Sequence, residues 1–205
     1  MEQLTTQLVE WASASRPLVK DQESGDACLV KVFPDSAFVA AVDGLGHGPD
    51  AASAARKAIA LLADSVWGGP LAAVRHCHEG LRSTRGVVLS LAHFDGDLGT
   101  MTWTGVGNIA GVLLRPIQAM NSGHVGLRPG RGVVGRLLPA LRSDVVPVTP
   151  GDTLVLASDG INPQFVLDLE YPDSLQVAAD RILADFGSAT DDALVVIARY
   201  RGAPA

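Results

Sequence analysis

Residues 28–49 run Cys28-Leu29-Val30-Lys31-Val32-Phe33, Pro34-Asp35-Ser36, Ala37-Phe38-Val39-Ala40-Ala41-Val42, then Asp43-Gly44-Leu45-Gly46-His47-Gly48-Pro49. Two short apolar runs joined by three turn-forming residues predict a strand hairpin. Pro49 suits the first position of a helix, where its missing N–H forfeits no hydrogen bond. That helix is predicted through about Ala63, with Ala51, Ala55, Ala58, Ile59 and Leu62 on one face.

Downstream, a second helix fits 70–83, where Leu71, Val74, Cys77, His78 and Leu81 share a stripe. Gly-punctuated strands follow at Val87–Ala92, Thr100–Val106 and Gly111–Leu114, then a looser stretch to a strand at Val145–Val148. The turn Pro150-Gly151-Asp152 launches Thr153–Ala157. A helix is predicted over 174–186, with Asp173 as N-cap and Gly187 past its end. Ala193–Tyr200 closes the chain as a buried strand. Hairpins in succession with helices in pairs argue for antiparallel sheets covered by helices, not a doubly wound parallel sheet. With no repeat and no linker, residues 1–205 are expected to form one domain.

The 205 residues are 47% hydrophobic and 19% charged, enough for a sizeable core. A net charge of −6 argues against a general nucleic-acid binder. Cys28 and Cys77 lie in apolar contexts and read as free thiols of a reducing compartment. The acidic opening is no secretory signal and no apolar run spans a bilayer, so the expectation is a cytoplasmic protein without membrane contact. Adjacent His76-Cys77-His78 on a helix point apart and cannot share a metal. His93 and His124 read as structural, the latter in a Gly-flanked loop. Ser158 lacks a nucleophile elbow, Gly105-Val106-Gly107 lacks a dinucleotide fingerprint, and Trp11, Trp67 and Trp103 read as core.

Four acidic positions share a character: Gly25-Asp26, Val42-Asp43-Gly44, Ser158-Asp159-Gly160 and Thr190-Asp191-Asp192. Any one Asp-Gly pair is ordinary turn chemistry, the reading given to Asp97 and Asp152. Four at the edges of apolar strands can converge, and their carboxylates then repel unless cations sit between them. Hard divalent ions such as Mg²⁺ or Mn²⁺ take oxygen ligands and keep several waters.

In this order, these motifs resemble the metal-dependent protein phosphatases of the PP2C (PPM) class, in the bacterial SpoIIE-like branch and most like its RsbX-type members. Gly105-Val106-Gly107-Asn108-Ile109 and Gly132-Val133-Val134-Gly135 support the narrower likeness, which covers about residues 9–200. The resemblance implies an α+β fold, a four-layer αββα sandwich of two antiparallel sheets flanked by helices. It implies two ions, Mn²⁺ or Mg²⁺, with Asp43 bridging both, Asp159 and Asp191 on one, and Asp26 with the Gly44 carbonyl on the other. Asp192 is left behind the ligands. The implied reaction is hydrolysis of phosphoserine or phosphothreonine by a metal-bridging hydroxide, with Asp43 and Asp159 central to catalysis. The implied partners are phosphorylated STAS-domain proteins of a stressosome or partner-switching pathway, met by a monomer. Glycines 44, 46 and 48 fit independently, since carbonyl ligation and phosphoryl approach need open backbone.

The likeness has gaps. Larger relatives place a histidine directly after the Asp-Gly pair, where this chain has Leu45, and His47 comes two residues later. Leu194 stands where a Thr or Ser is usual. No arginine near the first Asp matches a phosphate clamp, and Arg131 and Arg136 are weak substitutes that also read as solvated surface. A non-catalytic binding protein on the same fold, or a hydrolase of small phosphoesters, remain the competing readings.

Overall fold

The computed structural model describes residues 7–116, 124–169, 171–172 and 174–203. Along the described chain the strands and helices are β1 (Val9–Arg16), β2 (Asp26–Val32), β3 (Ser36–Gly44), α1 (Pro49–Asp64), α2 (Gly69–Gly80), β4 (Val87–Asp95), β5 (Thr100–Val106), β6 (Ala110–Leu114), β7 (His124–Leu127), β8 (Asp144–Pro147), β9 (Thr153–Ala157), α3 (Leu175–Phe186) and β10 (Ala193–Tyr200). They form two five-stranded antiparallel sheets, ordered β1-β10-β9-β6-β7 and β2-β3-β4-β5-β8.

Side-chain alternation makes three apolar layers from two sheets, because successive residues face opposite sides. Leu156 and Val196 meet Phe94, Met101 and Trp103 between the sheets. On the outer face of the second sheet, Phe38, Leu89 and Leu91 pack against Ala54, Ala58 and Leu62 of α1 and Val74 and Cys77 of α2. Val155, Val195 and Ile197 carry Ala179 and Ile182 of α3 on the other side. The result is the expected αββα sandwich. β10 is buried along its whole length, which accounts for the apolar run 193–198: a strand covered on both faces has no polar side to show, and only Arg199 near its end is charged.

Most elements begin and end near the expected residues, and the departures have local causes. β1 hides in Val9-Glu10-Trp11-Ala12-Ser13-Ala14 because it is an edge strand, half polar, that forms by pairing with β10 from Val9↔Tyr200 to Arg16↔Ala193. Trp11 is not core: it is 44% exposed on that edge, whereas Trp103 is buried with its Nε1 donating to Ser90 Oγ at 2.8 Å. The side chain of Trp67 lies outside the described residues. The looser stretch contains β7, so His124 opens a strand. α2 stops at Gly80, where the Leu81 N–H donates to the Cys77 carbonyl and closes the last turn. The cap of α3 is Ser174, whose side chain accepts from the Val177 N–H; Asp173 lies outside the described residues. Both cysteines are free, Cys77 buried and Cys28 half-buried. Among the described residues no helix is long and apolar enough to cross a membrane.

Leu156, buried between the sheets, is expected to cost about 2–5 kcal/mol when cut to alanine. Val177→Ala on the exposed face of α3 should stay within about 0.5 kcal/mol. Urea titrations of the two variants check the assignment of the layers.

Candidate active site

Antiparallel pairing brings the expected acids to one edge of the sandwich. Asp26 opens β2 opposite Asp43 near the end of β3. Asp159 follows the end of β9, and Asp191 precedes the start of β10, two strands paired through Ala157↔Val195. Two glycines allow the close approaches. A Cβ on Gly160 would lie 1.8 Å from the Asp192 carbonyl, and one on Gly44 would lie 2.2 Å from the carbonyl of Ala51 in α1. No other residue type lets the turn after β9 touch the turn before β10, or lets α1 sit so close to the end of β3.

Asp43, Asp159 and Asp191 line a cleft of about 370 Å³ together with Gly46, Asn108, Arg131 and Gly132. Asp26 lies behind them, buried, with its Oδ2 lacking a hydrogen-bond partner. Gly44 is also buried, so of the three glycines expected to open the backbone, Gly46 is the one on the cleft wall. Gly46 and Gly48 have φ of 83° and 79°, a region that favours glycine.

The electrostatics follow from this placement. Burial pushes Asp26 from an ordinary 3.8 up to about 7, opposed by a hydrogen bond from Ser158 and reinforced by Asp192, Asp159 and Asp191. Burial also pushes Asp43 up to about 8, reinforced by Asp26, Asp159, Asp191 and Asp192. Asp191 is raised mainly by burial, with the Asp192 N–H and nearby His47 pulling the other way. Each of the three is thus held where burial, reinforced by neighbouring acids, resists its charge.

Neighbouring side chains fix the acids in place. Asn108 Nδ2 donates to Asp159 Oδ2 at 2.8 Å. Asp192 turns inward and accepts from the Leu18 and Gly25 N–H groups at 2.7 and 2.9 Å, tying the loop before β2 to the turn before β10. This separates the acidic pair: Asp191 faces the cleft and Asp192 braces the backbone. Ser158 Oγ accepts from the Leu194 N–H at 2.9 Å, so this serine is a buried brace. Asn108 and Ser158 were visible beside the motifs, but only the fold shows what they hold. His76 is exposed while His78 is buried and accepts from the Gly135 N–H at 3.1 Å, which separates that pair as the helical spacing requires.

The donors are all hard oxygens, and the unpartnered Asp26 Oδ2 is one that a bound cation would satisfy. Among the described residues no three acids, histidines or cysteines close into a cage around one point. Oxygen donors of this kind are those that Mg²⁺ or Mn²⁺ take, beside the waters these ions retain.

Known proteins share this chain's sequence pattern and fold. The profile of the Stage II sporulation protein E (SpoIIE) family matches residues 34–201. No curated protein matches the chain significantly. A solved structure from work on the bacterial stressosome, a modular system adapted to control secondary messenger signalling, is 32% identical, with TM-score 0.82 over 93% of this chain and 99% of that one. RsbX in complex with magnesium is 17% identical, with TM-score 0.82 over 95% of this chain and 96% of its own. The catalytic domain of the serine/threonine phosphatase PstP with two manganese ions is 19% identical, with TM-score 0.69 over 96% and 100%. The last two establish likeness of fold.

Because Asp43 binds a proton more tightly folded than unfolded, metal-free stability falls as pH rises from about 4 to about 8. Asp43→Asn removes that charge, so in chelator the variant should melt above the parent at pH 8, with the gap much narrower at pH 5. Thermal denaturation at the two pH values decides it; a gap that does not vary with pH contradicts the burial of the Asp43 charge among other acids.

Proposed function

Since the chain belongs to the SpoIIE family of PP2C-type protein serine/threonine phosphatases, we propose that it is a metal-dependent phosphatase of phosphoserine and phosphothreonine in stressosome-type signalling. The observation that carries this is the shared cleft, with Asp43, Asp159 and Asp191 on its wall and Asp26 buried behind. In the proposed assignment Asp43 serves two ions, Asp159 and Asp191 complete one, and Asp26 and the Gly44 carbonyl complete the other. The unpartnered Oδ2 of Asp26 supports its place in that set. Bound there, the ions would neutralise the ester and activate water for attack on phosphorus.

The chain's own groups do the rest. Asn108 orients Asp159 by holding Oδ2. Arg131 lines the same cleft, is exposed, and has no hydrogen-bond or ion-pair partner among the described residues. A planar guanidinium matches two phosphoryl oxygens at once, so Arg131 is proposed to grip the phosphate. Arg136 does not line that cleft, and its Nε donates to the Arg85 carbonyl at 2.6 Å, which favours Arg131 for the role. His47 is exposed beside Asp191, open to solvent that can deliver the same proton, which favours a minor role. The proposed substrates are phosphorylated STAS-domain proteins, in line with the stressosome context of the 32%-identical structure. Two free thiols favour a reducing, cytoplasmic setting. The complete acidic set speaks against a degenerate binding protein.

Hydrolysis of an aryl phosphate should require added Mn²⁺ or Mg²⁺, and full activity after exhaustive chelation would refute the assignment. Asp43→Asn is expected to lose about three orders of magnitude, or about 4 kcal/mol of barrier, together with both ions in calorimetric Mn²⁺ titration. His47→Ala should lose less than about tenfold. Incubation with candidate phospho-STAS proteins, with and without Mn²⁺, scored by loss of phosphate, tests the substrate class.

A further inference from the structure

Between Leu98 and Ser143 the chain carries five arginines and no aspartate or glutamate, in a protein whose net charge is −6. Four of them, Arg128, Arg131, Arg136 and Arg142, fall within fifteen residues beside the cleft. Arg131 faces the cleft and Arg136 is tied to the Arg85 carbonyl. Arg128 and Arg142 line a different cavity of about 490 Å³, with Trp103, Pro129 and Pro139 around it and Asp144 on its rim. Both arginines are exposed. Neither makes a hydrogen bond or ion pair through its side chain among the described residues, with Asp144 or with any other group.

The two cavities are neighbours. Gly105 lines the second and Gly107 the first, about 7 Å apart by strand rise. Gly130 lines the second, and the next residue, Arg131, lines the first. The intervening backbone is irregular but fixed. The Gly130 N–H donates to the Gly105 carbonyl at 2.9 Å, and the Gly107 N–H donates to the Gly130 carbonyl at 2.8 Å. Val134 and Val87 exchange hydrogen bonds of 2.8 and 3.0 Å. Thr104 Oγ1 donates to the Arg142 carbonyl at 2.7 Å, anchoring the far end of the segment. Free guanidinium groups on a pinned backbone, beside Pro129 and Pro139, form a prepared cationic shelf and not a floppy basic tail.

We propose that this second cavity docks an acidic stretch of the phosphoprotein, with Arg128 and Arg142 reading carboxylates about two to four residues from the phosphorylated side chain. An extended chain advances about 3.3–3.6 Å per residue, so that spacing bridges the two cavities. Charge complementarity picks the occupant: in an otherwise acidic protein, the local positive field favours negatively charged partners and suppresses neutral or basic ones. The inference rests on the phosphatase reading for the phosphorylated residue's place in the cleft, but the docking itself is measured without turnover.

The test uses fluorescent peptides containing a non-hydrolysable phosphonate analogue of phosphoserine, flanked by Asp or by Asn, titrated by anisotropy with Mg²⁺-loaded full-length protein. The parent should bind the Asp-flanked peptide about tenfold tighter, with the preference shrinking as salt rises. Arg128→Gln/Arg142→Gln should lose that preference while aryl phosphate hydrolysis stays within about twofold, and Arg128→Lys/Arg142→Lys should retain most of it. Equal affinity for both peptides, a preference that survives the Gln pair, or a DNA oligomer that competes as well as the acidic peptide would each overturn the proposal. Absence of metal-dependent aryl phosphate hydrolysis in the parent would instead refute the phosphatase reading, and the anisotropy result would still decide the docking.

Discussion

The burial of carboxylates that also repel one another, at one edge of the sandwich, is the constraint to which the surrounding structure answers. Asp26 and Asp43 face each other across adjacent strands, with Asp159 and Asp191 near enough to raise both. In water such groups would move apart. Here they are anchored at strand ends, and the strands are locked by apolar layers on both faces. The core thus holds in place an arrangement that is unfavourable by itself and that bound cations would relieve.

Close backbone packing makes the gathering possible. At Gly160 and Gly44 the neighbouring chain comes so near that any side chain would collide with a carbonyl. Asp192 then uses its carboxylate to bind two N–H groups of the loop before β2, so an acid adjacent to the cleft becomes a structural clamp. Of two consecutive aspartates, one meets solvent in the cleft and the other satisfies buried backbone donors. A buried backbone donor must find a partner, and here a charged acceptor supplies it.

The positive side of the site is built differently. Its arginines stand on an irregular segment whose position comes from single hydrogen bonds to β4, β5 and α2. Such a segment carries no periodic pattern, which is why Arg131 looked like solvated surface in the sequence. Its neighbours in space are strand ends that lie 23 residues and more away along the chain, as with Gly107 and Val87.

The sequence by itself determined the hairpin of β2 and β3, the alanine face of α1, the buried run of β10 and the order of the acidic motifs, because each is written in local periodicity or turn chemistry. It also told Asp191 from Asp192 only through family likeness. Tertiary structure alone decided what depends on distant neighbours. β1, with its half-exposed Trp11, exists because β10 offers a pairing edge. Ser174 is seen to cap α3 because cap geometry is set by where the preceding chain runs. Arg131 belongs to the cleft, and Gly44 to the packing of α1, because contact between residues far apart in the chain is a property of the folded chain and leaves no periodicity in the sequence.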